Sequence, residues 1–345
     1  MHKRFFAIDF LRAIGIIGVI ATHVFSYNLV PGTNTFIWNY LHFVITSFIF
    51  CSGYVMYVVY QERVATWKSL LPWYKKRFSR LLIPYYLYFG VHLSLVWVAP
   101  KYFSGLGIQI NWHYIWQSLT FLGGMNENWL PLLFVQLALL FPVLVYLVKK
   151  QRKLLWVYCA FCLVFTVWIT LTPFPYSLYR WTMWIPWSLV LVLAWYFAKS
   201  EMTTSSTKIY ALMSIVSAVL FAGLFVWFGD THRSLTLIDN KYPPNLFYTS
   251  YEFAISFALL TLAQVKTVQQ KIVVTISQFL SKHSYELFFI HFLILDFVLQ
   301  LNKMYSWHLS VWVELFVVIL LSISSIYFWE KIRPHPSRTK LSLVK

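Results

Sequence analysis

Apolar residues run along this chain in long blocks rather than at the alternating spacing of half-buried strands. Blocks long enough to cross a bilayer, which takes about 20 residues, lie near 10–29, 36–59, 79–99, 130–148, 154–171, 180–198, 208–228, 247–265, 284–301 and 308–329. The pattern predicts an all-α protein, a polytopic transmembrane helical bundle of about ten spans. Asp9 and Arg12 interrupt the first block and no small-residue cleavage site follows, so it is expected to stay as a span rather than be removed as a leader. The longest connections, near 100–129 and 229–246, carry Trp, Gly or Pro and are expected to be re-entrant or to cap a cavity. No repeat or loop is long enough for a soluble domain. Residues 1–345 therefore read as a single integral-membrane domain, with 331–345 as a basic cytoplasmic tail.

Composition agrees and excludes other classes. Of the 345 residues 59% are hydrophobic and 11% charged, against about 45–50% and about 25% in soluble domains. Too little polar surface remains for a cytosolic enzyme, a disordered chain or a secreted disulfide scaffold. The net charge of +17 does not point to nucleic acid, because no basic stripe is interleaved with exposed aromatics on a soluble element. The basic residues instead orient the spans: 22 of the 28 Lys and Arg fall in the N-terminal segment, alternate connections and the C-terminal tail, five in the other connections and Arg12 within the first block. The more basic side is cytoplasmic by the positive-inside rule. Both termini are expected there, in a multi-pass protein of the cell membrane whose surroundings are the lipid bilayer. Cys51, Cys159 and Cys162 read as buried thiols, and no metal-ligand spacing is present.

Ionisable residues inside spans are costly and mark functional positions. Arg12 and His23 are eleven residues apart, which at 100° per residue puts them within about 20° on one helix face and about 16 Å apart along the axis. Arg77 and Arg80 are one turn apart where the third span is expected to open, a placement that would add the helix N-terminal dipole to two guanidinium forks suited to phosphate. Ser284 and His291 share a face of the ninth span, about 10 Å apart. Trp129 and Gln136 share a face of the fourth. Glu127, Glu252 and Glu314 lie at a depth similar to His23, and any of them could assist it. A structural role stands beside each of these readings. Arg12 could snorkel and pair with Asp9, His23 and His291 could bond across helix interfaces, Arg77 and Arg80 could anchor topology, and Trp129 could belong to the aromatic belt.

Four stretches together resemble the acyltransferase-3 family of integral membrane proteins. They are Asp9-x-x-Arg12 with His23, Arg77-x-x-Arg80 with Pro84, Trp129 with Gln136 and Pro142, and Ser284-Tyr285 through Phe288 to His291. Some members carry a glutamate five residues after the Trp, where this chain has Phe134, so it is similar to the stand-alone branch containing intercellular-adhesin polysaccharide O-acyltransferases. No esterase-like domain follows the last block, so a two-stage transfer within one polypeptide is not expected.

The resemblance implies a membrane O-acyltransferase that moves a short acyl group, of the acetyl or succinyl class, from cytoplasmic acyl-CoA to a hydroxyl of a cell-surface or exported polysaccharide. Arg12, Arg77 and Arg80 would hold the phosphates of the donor. A pantetheine arm of about 15–20 Å would carry the thioester along the first helix to His23, the expected general base or, as the second reading, a transient acyl carrier, with Arg12 also essential. Trp129, Gln136, Glu252, Ser284, Tyr285 and His291 are the expected substrate-binding residues. Acyl-CoA is a substrate, no cofactor is expected to stay bound, and polysaccharide synthesis or export proteins are the implied partners. The alternative is an exporter of polysaccharide or lipid-linked oligosaccharide that performs no acyl transfer. The chain lacks the paired, interrupted segments that mark many transporters.

Overall fold

The computed structural model describes residues 5–30, 32–103, 110–200 and 204–332. Lys3, Arg4 and the expected basic tail from 333 onward lie outside the described residues. In chain order the helices are α1 (Phe6–Ser26), α2 (Thr33–Tyr40), α3 (Val44–Tyr60), α4 (Trp67–Val98), α5 (Pro100–Phe103), α6 (Trp112–Thr120), α7 (Trp129–Lys150) and α8 (Arg152–Leu171). They continue as α9 (Tyr179–Thr182), α10 (Trp184–Lys199), α11 (Thr204–Asp230), α12 (Leu246–Leu262), α13 (Lys271–Lys282), α14 (Ser284–Tyr305) and α15 (Val311–Ile332). Among the described residues nine helical runs are long and apolar enough to cross a membrane, and the 17-residue α12 is a shorter apolar helix in the place of the remaining predicted span. The chain is an all-α polytopic membrane bundle.

Two helices differ from the hydropathy pattern. α4 starts at Trp67, well before the apolar block near 79, and runs for 32 residues. Arg77 and Arg80 therefore sit almost three turns inside a helix. The N-terminal dipole, which fades within the first turn, does not act on them, and that part of the sequence reading is corrected. α13 has no counterpart among the blocks because its 12 residues are too short and too polar to span. It packs against α1 and buries Ser277, Leu280 and Ser281.

α1 forms the middle of the bundle, packed on α3, α12, α13, α14 and α15. Its residues Leu11, Ile16, Ile20 and Val24 are fully buried. α3 and α10 approach closely because Gly53 has no side chain: a Cβ there would meet Leu191 Cδ2 at 2.8 Å and the Ala194 Cβ at 3.0 Å. On the perimeter the surface is apolar, with Leu212, Ile215, Val216 and Val219 of α11 and Phe316 and Leu320 of α15 exposed. Side chains of this kind in a continuous belt face lipid. Lys282 and His283 both pair with Glu330, the His283 Nε2 at 3.1 Å, which places the end of α13 beside the end of α15. Lys282 also borders a cavity with Asp9 and Arg12 near the start of α1. The first and last spans thus meet the same face of the bundle, called here the basic face.

Candidate functional site

A cavity of about 500 Å³ opens near the basic face. Arg12 of α1, Ser52 of α3, Arg77 and Arg80 of α4, and Lys282 surround it, and Glu286 is the one carboxylate among its lining residues. Arg77 is anchored by an Nη2–H donated to Ser52 Oγ at 2.8 Å, while its buried Nε–H has no hydrogen-bond partner among the described residues. A buried guanidinium donor left open in a cationic cavity is an arrangement that an anion completes. Tyr285 donates to the Leu81 carbonyl at 2.7 Å and Ser284 to the Ser281 carbonyl at 3.1 Å, so both wall residues are fixed in place. The far end of this cavity is apolar, lined by Phe48, Leu130, Phe134 and Phe288.

A second cavity, of about 250 Å³, lies beyond it toward the opposite face. His23, His42, Glu127, Trp129 and Lys241 line it together with Phe288, which is also part of the first cavity's wall. The two spaces therefore meet at one phenyl ring. His23 has no hydrogen bond to either ring nitrogen among the described residues. Its ring packs 4.4 Å from Phe292 and 5.4 Å from His291, centroid to centroid. His291 is fully buried, with Nδ1 2.9 Å from the Leu287 carbonyl, so that nitrogen carries the proton and Nε2 presents its lone pair.

Two connecting loops close this second cavity, which is one of the two roles their sequence left open. Between α6 and α7 the chain turns at Gly124 (φ +68°), where a Cβ would lie 2.6 Å from the Tyr114 carbonyl oxygen. This left-handed turn delivers Asn126 and Glu127 to the cavity wall. Between α11 and α12, Asn240 donates to the carbonyls of Ser234 and Thr236 and accepts from Asn245, which caps α12. The Leu237 N–H donates to Asn39 Oδ1 at 2.6 Å, tying this loop to α2. The tethered loop holds the Lys241 ammonium inside, 4.7 Å from the Trp129 ring centroid and 4.9 Å from that of Tyr242. Lys241 is 6% exposed, and burial pushes its ammonium down to about 7, with the Glu252 carboxylate acting in the opposite sense.

The decisive comparison is with protein families: residues 5–329, nearly the whole chain and both cavities, match the acyltransferase-3 family, described as an acyltransferase domain. The chain belongs to the acyltransferase-3 family. No curated protein and no solved structure matches it. It is a multi-pass membrane acyltransferase.

The acyltransferase brings most of the residues singled out in the sequence to these two spaces. Arg12, Arg77, Arg80, Ser284 and Tyr285 line the basic cavity; His23 and Trp129 line the second. Trp129 stacks on Trp187 with the planes 19° apart. His291 reaches the second cavity only through its contact with His23 and Phe292. Gln136 lines neither: its Nε2 donates at 2.7 Å to the carbonyl of Arg180, whose guanidinium in turn holds Phe121 O and Asn128 Oδ1. That cluster fastens the α6–α7 turn, so Gln136 acts on the site through the turn.

The three carboxylates also separate. Glu252 is fully buried and accepts from Thr46 N, Thr46 Oγ1 and Trp187 Nε1 at 3.2, 2.6 and 3.2 Å, joining α3, α10 and α12. Glu314 accepts from Asn28 and Asn302, each at 2.6 Å. Glu127 is the one of the three in the wall shared with His23. Sequence reasoning missed Lys241, which looked like an ordinary loop cation, and His42 and Ser52, whose positions in apolar blocks gave no spacing signal.

Proposed function

We propose that the protein transfers a short acyl group from acyl-CoA, bound from the cytoplasm at the basic face, to a hydroxyl of an exported or cell-surface polysaccharide. The observation that carries this reading is the pair of cavities meeting at Phe288, one cationic and one holding an unencumbered imidazole. Arg12 and His23 stand on one face of α1, about 16 Å apart along its axis, a separation that suits a donor with phosphates at one end and a thioester at the other.

Arg77, Arg80, Arg12 and Lys282 would hold the phosphates, with the open Nε–H of Arg77 as one of the donors. The pantetheine arm would follow the apolar end of the cavity to Phe288. In the second cavity the acceptor sugar would lie beside Trp129 and the Lys241 ammonium that covers its ring, a cation suited to bonding sugar hydroxyls. His23 takes the proton from the acceptor hydroxyl as its oxygen attacks the thioester carbon. The new C–O bond forms, the C–S bond breaks, and the proton passes from His23 to the departing thiolate. The Lys241 ammonium faces the same space and opposes the negative charge that develops on the thioester oxygen. His291 and Phe292 act as positioning residues that hold the imidazole plane.

His23→Ala tests the reading. Acyl groups per sugar in the surface polysaccharide should fall about 10²–10⁴-fold in rate terms, with protein level and acyl-CoA affinity unchanged. A glycan exporter would instead yield less polysaccharide with the same acyl content. A normal acyl-to-sugar ratio in the His23→Ala strain would falsify the mechanism.

A further inference from the structure

A separate cavity of about 340 Å³ lies at the basic face, where the ends of α3, α7, α8 and α10 meet. It shares no lining residue with the donor cavity. Tyr57 of α3 forms part of its wall. That side chain is fully buried, its ring is held edge-on by Phe141 at 4.8 Å, and its hydroxyl has no hydrogen-bond partner among the described residues. Buried hydroxyls are nearly always bonded, so an orphan beside a cavity indicates a missing acceptor.

The charges around it select the acceptor. Lys149 is neutralised by Glu62 at 2.6 Å. Arg152 has no carboxylate partner among the described residues, and Lys199 rests 5.9 Å from the Trp195 ring centroid. Arg152 also opens the 20-residue α8, whose first turn receives no side-chain bond from its cap residue Gln151. Two cations without a carboxylate partner among the described residues, an uncapped helix start and a buried O–H donor together describe an anion with several oxygens. The position between helix ends on the basic face is where lipid headgroups lie.

We propose that this cavity binds a phosphate group, carried by the headgroup of an anionic phospholipid or present as free phosphate. Neither source takes part in acyl transfer, so the site is independent of the catalytic reading. The test is thermal unfolding of the purified full chain in detergent, in an Arg77→Ala/Arg80→Ala background so that the donor cavity does not report. Phosphatidylglycerol, inorganic phosphate and a diacylglycerol glycolipid lacking phosphate are titrated in parallel.

Phosphatidylglycerol should raise the melting temperature, and Arg152→Gln/Lys199→Gln should move the half-effective concentration up about 25-fold. Tyr57→Phe should move it about tenfold. This last variant keeps the ring and deletes only the orphan hydroxyl, so a purely packing role for Tyr57 would leave the titration unmoved. A response to inorganic phosphate at the same concentration, with the same dependence on the variants, would assign the site to the free anion. Equal responses in all variants, or an equal response to the phosphate-free glycolipid, would overturn the proposal.

Discussion

Replacing Arg77 by alanine removes the Nη2–H bond to Ser52 and the buried, unpartnered Nε–H that the donor cavity holds open. If that N–H and its neighbour form a fork on a donor phosphate, each charge-assisted bond contributes about 1.5–3 kcal/mol. Losing both bonds of the fork, about 3–6 kcal/mol together, should then raise the Kd for acyl-CoA by about 10²- to 10⁴-fold, since each 1.4 kcal/mol is a factor of ten. Arg77 is far from the imidazole, so kcat at saturating donor should change by less than about threefold while KM for acyl-CoA rises with Kd. Arg77→Lys keeps the charge and loses the planar fork, and should recover part of the affinity. Ser52→Ala keeps the guanidinium and loses its anchor, with an expected loss of about tenfold, the yield of one hydrogen bond to a charged group at about 1.5 kcal/mol. The assay is calorimetric titration of a non-hydrolysable acyl-CoA analogue into purified protein, paired with steady-state kinetics. An unchanged Kd in Arg77→Ala, or a drop confined to kcat, would refute the assignment of this cavity to the donor.

Glu252→Ala should lower stability by about 3 kcal/mol, read as a fall in melting temperature, because it orphans the buried Thr46 and Trp187 donors; an unchanged melting temperature would show that the carboxylate is not a strut. Lys241 is mostly charged below its pKa of about 7 and mostly neutral above it. If the acceptor contacts the ammonium, acceptor KM should rise as pH increases through 7, and Lys241→Met should have a high KM with a flat profile; a wild-type profile in that variant would remove Lys241 from the acceptor site. Cysteines introduced at Thr35 and Thr231, both exposed on the loop side, should react with an impermeant thiol reagent from outside the cell, whereas one at Lys150 should not. External labelling at Lys150 would reverse the orientation.

Some of this protein was legible from one dimension. Transmembrane helices form within a single segment, since every backbone group must be satisfied inside the bilayer, so blocks of apolar residues announce them directly. The Arg12–His23 axis was legible for the same reason: both residues belong to α1, and helix geometry alone sets their separation and common face. The four spaced motifs were readable in order along the chain, and the family they resemble is the one that matches residues 5–329. α13 and the early start of α4 were not, because amphipathic or cationic helix has no hydropathy signature, and its stability comes from packing on neighbours.

The partition of the polar residues was decided only in three dimensions. Glu127, Glu252 and Glu314 look alike in sequence, yet one lines the space beside His23, one ties α3 to α10 and α12, and one secures two asparagines. Lys241 reads as a loop cation until the Asn240–Asn245 network folds its loop over the bundle and brings the ammonium onto Trp129, 112 positions earlier in the chain. Phe288 reads as one more aromatic in an apolar block, and only the packing of α14 against α1 makes it the ring at which two cavities meet. Local sequence determines which segments are helices and what each face carries. Which faces meet depends on contacts between residues remote in the chain, and that is where the chemistry of this site was assembled.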